Sequence, residues 1–109
     1  MNAHSSDLKI VLSTHDDLLQ AQDLAKQLVE RRAAACVNLI PGVTSVYRWE
    51  GAVQVESELL LLIKTTPEKV PEVQELLKAH HTYQVPEMVE LDGLVLHKPY
   101  MDWLRECLA

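Results

Sequence analysis

Two long strand-like runs meet at a four-residue turn, and no other feature constrains the fold of this chain so strongly. Ala34 to Tyr47 is rich in β-branched and aliphatic residues, and its Pro41-Gly42 pair reads as a bulge or bend inside a continuing strand. RWEG (Arg48 to Gly51) turns the chain, and Val53 to Thr66 returns as a second run. Each run is roughly twelve to fourteen residues long, against about five to six for an ordinary strand. A hairpin of that length must project beyond a small domain. Its return arm also changes character. Val53 and Val55 alternate with Gln54 and Glu56, so one face is dry and the other wet, whereas Leu59 to Ile63 is apolar on both faces. Such a stretch needs cover on the side that helices do not reach, and left exposed it is an aggregation hazard. Together these features predict a closed homo-oligomer whose subunits bury sheet faces and embrace one another with their hairpins. They do not give its stoichiometry.

The flanking segments supply the remaining elements. Residues 1–8 read as a polar, flexible tail and 9–109 as a single domain. Lys9 to Thr14 (KIVLST) is a short β-branched strand, after which Thr14 can cap a helix with Asp16 and Asp17 in its first turn. Leu18, Ala21, Ala25, Leu28 and Val29 recur at helical spacing and carry that helix to about Arg32. Thr66-Pro67 opens a second helix, with Val70, Val73, Leu76, Leu77 and His80 along one face. Val85 to Leu91 reads as a fourth strand and Leu94 to Leu96 as a short fifth. Pro99 opens a last helix carrying Tyr100, Trp103, Leu104 and Cys107. The order β-α-β-β-α-β predicts an α+β, ferredoxin-like sandwich with a long β2–β3 hairpin and an additional C-terminal helix.

Composition narrows the function. A chain of 109 residues, 48% hydrophobic, can bury an aliphatic core without staples, and the absence of Phe leaves that core to Leu, Val, Ile and Ala. The net charge of −6 disfavours nucleic acid, whose phosphates such a surface repels. No apolar run is long enough to span a bilayer and no secretory pattern opens the chain, so the expected setting is cytoplasmic and no membrane partner is expected. Cys36 and Cys107 lie in no redox or zinc pattern and read as small core residues. The chain has no GxGxxG, phosphate-binding glycine loop, GxSxG or HExxH, and nothing in it points to an enzyme.

One short stretch concentrates chemistry. KAHHTYQVPEM (Lys78 to Met88) packs His80, His81, Tyr83 and Glu87 together, and on the residues alone two readings stand open. In the first, His80 is a half-buried histidine on the apolar face of the second helix and Glu87 is an ordinary strand residue. In the second, helix end and strand start converge, and His80 and Glu87 offer imidazole nitrogen and carboxylate oxygen to a borderline divalent ion such as copper, nickel or zinc. A second cluster, Tyr47, Trp49 and Glu50, sits at the hairpin tip, where the tryptophan is expected to pack into a neighbouring subunit. Tyr100 and Trp103, three apart, read as core or interface anchors.

The segments AAACVNLIPGVTSVYRWEG, VESELLLLIKTT, HHTYQVPE and YMDWL, in this order, closely resemble the CutA divalent-cation-tolerance family, and the match is collinear from about Lys9. The resemblance implies a ferredoxin-like subunit in a tight homotrimer, similar in architecture to PII signalling proteins, with a divalent metal ion, Cu(2+) or another, as ligand. The copper ligands attributed to the family are a first-strand cysteine, the first histidine of the HH pair and the glutamate of VPE. Matched residue by residue, the last two fall on His80 and Glu87, and the cysteine position falls on Ser13. Serine puts a neutral hydroxyl where a soft thiolate would be, and Thr82 stands where the family usually has proline. The first function hypothesis is therefore a trimeric copper-binding or metal-tolerance protein. The second is a PII-like regulator taking a small ligand in intersubunit clefts, with Arg48, Lys64 and Tyr83 gathered there. The third is a purely structural or partner-binding trimer.

Overall fold

The computed structural model describes residues 7–109. Of the tail expected over residues 1–8, residues 1–6 lie outside the described residues, while Leu8 is buried and opens the first strand. The elements are β1 (Leu8–His15), α1 (Leu18–Glu30), β2 (Cys36–Trp49), β3 (Ala52–Thr65), a 3-10 turn (Pro67–Lys69), α2 (Val70–His80), β4 (Val89–Gly93) and α3 (Lys98–Leu108). All strand pairs are antiparallel, in the order β2-β3-β1-β4. This is the α+β, ferredoxin-like arrangement that the element order predicts, with the extra C-terminal helix.

The hairpin is as long as the sequence implies. Each arm has 14 residues, and the arms draw the molecule out to 47 Å along its longest axis. Trp49 pairs with Ala52, and the two residues between them, Glu50 and Gly51, both have positive φ (49° and 79°). That is the mark of the tight turn whose twist matches a hairpin. Ile40 pairs with Leu60 and Val43 with Glu58, so Pro41 and Gly42 together oppose Leu59 alone. Proline has no N–H for the ladder and Gly42 takes φ 77°, so the extra residue sits in a bulge and the strand continues, as expected.

The core lies on one side of the sheet. Val11, Leu61 and Ile63 meet Ala21, Leu24 and Leu28 of α1 and Val73, Leu76 and Leu77 of α2. A smaller cluster sets Met101, Leu104 and Leu108 of α3 against Leu8 and Ala35. The other sheet face is open. By register, Leu62, Leu12 and Val89 lie in one row across it, with the Ile40–Leu60 pair on one side of that row and the Ile10–Leu91 pair on the other. Ile40 is 41% exposed and Leu91 45%, while Leu60 and Leu62 are half-buried. The doubly apolar stretch of β3 thus has one side covered by helices and one side bare.

Several boundaries move. Thr14 belongs to β1, and the helix cap is Asp17, whose Oδ1 accepts from the Gln20 N–H at 2.9 Å. In α1 the inward residues are Ala21, Leu24, Ala25 and Leu28, and Leu18 and Val29 are exposed. The helix stops at Glu30 because Arg32 turns to φ 59°, and the guanidinium of Arg32 then donates to the Ala109 carbonyl at 2.9 Å. Strand β4 starts at Val89 and not at Val85, with Pro86, which cannot donate to a ladder, in the preceding loop. Leu94 to Leu96 forms no strand, and Leu96 is 88% exposed. Cys36 and Cys107 are free and half-buried.

Candidate functional site

The segment from His80 to Glu87 leaves the end of α2, crosses the end of β1 and reaches β4. Its first residue corrects the sequence reading: His80 closes α2 on the solvent side and is exposed. The inward histidine is His81, the C-cap, which leaves helical geometry at φ −80°, ψ 142° and folds back over β1. Its Nδ1 accepts from the Tyr83 N–H at 3.0 Å, so Nε2 carries the proton and donates to the Thr14 carbonyl at 2.6 Å. The His81 ring stacks on His15, with centroids 4.5 Å apart and planes 28° from parallel, and Tyr83 lies against His81 at 4.6 Å.

His15 is fully buried, and its Nδ1 accepts from the Asp17 N–H at 3.0 Å. Burial, aided by the neighbouring His81, holds His15 below the usual imidazole range, against the weaker pull of Asp16, Asp17 and Glu58. The Tyr83 hydroxyl donates to Oε2 of Glu58, a carboxylate only 7% exposed. Burial and that bond push the Tyr83 phenol far above its usual range. Tyr47 is also raised, by partial desolvation and by Glu56.

Beside this chain of rings lies a hollow of about 760 Å³, between the hairpin and residues 83–87. Ser45 pairs with Glu56, and Tyr47, Trp49 and Glu58 follow at two-residue steps, so these side chains share one face of the hairpin. That face continues the open apolar sheet face through Leu60 and Leu62. Glu87 and Tyr83 close the far wall.

The three positions drawn from the sequence lie apart. Ser13 is on the helix-covered face of β1, fully buried, and its Oγ has no hydrogen-bond partner among the described residues. His80 borders a smaller depression with Gln20, Asp23 and Thr82, while Glu87 lines the large hollow. Among the described residues no three His, Cys, Asp or Glu side chains converge as a metal cage. Arg48 and Lys64 do not join Tyr83 at the hollow, and Lys64 pairs with Cys36 at the opposite end of β3. Sequence reasoning missed Glu58 and His15 altogether. Glu56 and Glu58 did carry a signal, two carboxylates entering a long apolar strand, but the bulge that turns them into one hollow has no signature of its own at those positions.

Residues 9–107 match the family model described as CutA1 divalent ion tolerance protein. The chain is 50% identical over 98 residues to the divalent-cation tolerance protein CutA of Thermus thermophilus, spanning 90% of this chain and 95% of that one. It is 41% identical over 99 residues to the protein of the same name from Escherichia coli (91% and 88%). The structure of CutA from Synechococcus elongatus superposes with a TM-score of 0.92 at 38% identity, covering 97% of this chain and 94% of that one. These relatives are named for tolerance and not for catalysis, and no described helix is long and apolar enough to cross a membrane. In sequence along nearly its whole length, and in fold, the chain belongs to the CutA1 divalent ion tolerance family.

Proposed function

We propose that this chain works in divalent-cation tolerance as a homotrimer, with His80 and Glu87 as its donors to Cu(II) or another borderline divalent ion. The supporting observation is that both side chains are exposed, without an ion pair among the described residues, at the two ends of one short segment, an imidazole and a carboxylate of the kinds such ions accept. One chain offers them as separate donors and not as a closed cage, so water or a neighbouring copy completes the coordination. Ser13, sealed behind the sheet, is no part of the set. Assembly is supported by the bare apolar face along β3, β1 and β4, too continuous for a soluble monomer to leave in water.

Titration calorimetry of the metal-free assembly with Cu(II), beside a His80→Ala, Glu87→Ala double variant, tests this. A saturable phase lost in the double variant supports the assignment; binding unchanged in the variant removes it. A second reading, a regulator that takes a small ligand at the margin of the sheet face, is favoured by the size of the hollow, which lies within the range of ligand sites.

A further inference from the structure

We propose that an ion taken at His80 is held across the groove between α1 and α2, with Asp23 of α1 as its carboxylate donor. The inference rests on the metal reading above and adds a ligand which that reading does not contain. Gln20, Asp23 and Gln27 recur at helical spacing and form one polar stripe along α1. Helix α2 packs beside α1 over a shared core that includes Leu24 and Leu77, and it ends at His80 because His81 turns to extended geometry. The last side chain of α2 is thereby left at the stripe. His80, Asp23, Gln20, Gln27 and Thr82 border one depression of about 320 Å³, together with buried Leu24. The groove belongs to the helix layer, on the other side of the sheet from the bare apolar face, so burial of that face against other copies does not cover it.

The surroundings favour a cation. The depression has no lysine or arginine in its lining. The C-terminal end of α2, with its free carbonyls, adds the negative pole of a helix dipole. Asp23 Oδ2 accepts from Gln27 Nε2 at 2.9 Å, which orients the carboxylate and leaves Oδ1 for a ligand. The imidazole of His80 has no hydrogen-bond or ion-pair partner among the described residues. The donor types then select the cation. An imidazole beside a carboxylate suits Cu(II), Ni(II) or Zn(II), whereas magnesium and calcium prefer oxygen alone and Cu(I) prefers sulfur. Two such groups make no cage, so the Gln20 amide oxygen, the Thr82 hydroxyl and water fill the remaining positions. Glu87 lines the hollow at the hairpin, outside this depression, and stays a separate donor.

Calorimetric titration of the metal-free, full-length assembly with Cu(II) tests the pairing in three single variants. Asp23→Asn removes the charge while keeping the size of the side chain and an acceptor for Gln27, and Asp23, His80 and Glu87 are all exposed. The expected result is one phase that His80→Ala abolishes, that Asp23→Asn weakens at least tenfold and that Glu87→Ala leaves unchanged. Asp23→His offers a second imidazole and should tighten Ni(II) binding at least tenfold, a gain that adding His80→Ala removes. Full affinity in Asp23→Asn beside loss in His80→Ala overturns the proposal and leaves the metal reading standing. A phase lost equally in Glu87→Ala also overturns it, because His80 and Glu87 would then share one ion. Binding that survives His80→Ala unchanged overturns both.

Discussion

His15 and His81 meet ring to ring, and each has its Nδ1 committed to a backbone N–H, so a proton added at that nitrogen must break a turn. His15 is the more exacting of the two because it is fully buried. Its pKa is lower in the folded chain than its ordinary 6.5, so the unfolded chain takes the proton first as pH falls. The resulting stability is complete above the unfolded pKa, is lost as pH drops from there through the folded pKa, and is constant below that. Thermal unfolding followed from pH 8 to pH 5 should show Tm falling on the acid side, and His15→Gln should flatten the decline. The Tyr83–Glu58 bond makes a separate prediction. Tyr83→Phe leaves a buried carboxylate without its donor and should cost about 1–3 kcal/mol in denaturant unfolding. The sequence singled out Tyr83 but not its partner, since 25 residues separate them and only the fold joins them.

At the level of elements, local chemistry was read well wherever it stayed local. Pro41-Gly42 gave a bulge, Glu50-Gly51 a tight turn, and Pro99 the first turn of a helix. Where two residues competed for one role, sequence could not choose. Thr14 and Asp17 are both good caps, and β1 takes Thr14 because pairing with Leu60 extends the ladder to His15. Asp17→Ala should therefore destabilise the fold by about 1 kcal/mol, measured by chemical denaturation, and Thr14→Ala should not loosen α1. The two histidines pose the same problem at a helix end. Spacing from Val73 and Leu77 fits His80 as an inward residue, but α2 ends there, and the extended backbone at His81 delivers the second imidazole to the core instead. Periodicity holds only while the helix does.

For the whole molecule the open sheet face is the dominant fact. Its apolar rows include Leu62–Leu12–Val89, flanked by the pairs Ile40–Leu60 and Ile10–Leu91, and the hairpin carries exposed Val46, Val53 and Val55 out beyond the domain. Burying those rows against other copies removes them from water at roughly 25 cal/mol per Å². A single charge placed in the middle opposes that burial. Leu62→Glu should leave the subunit's secondary structure intact by circular dichroism and shift the mass measured by light scattering toward one chain. An unchanged mass would show that this face is not what holds the copies together.

The sequence by itself determined the order of elements, the length of the hairpin, the bulge, and the family. Each of these follows from residue spacing, turn chemistry or a collinear motif, all of which are properties of neighbours along the chain. Only the tertiary structure decided that His81 and not His80 turns inward, that Ser13 is sealed behind the sheet, and that Glu56, Glu58 and Tyr83 border one hollow. Those placements depend on strand register past a bulge and on where a helix lets go. A shift of one residue in either would send each side chain to the opposite face.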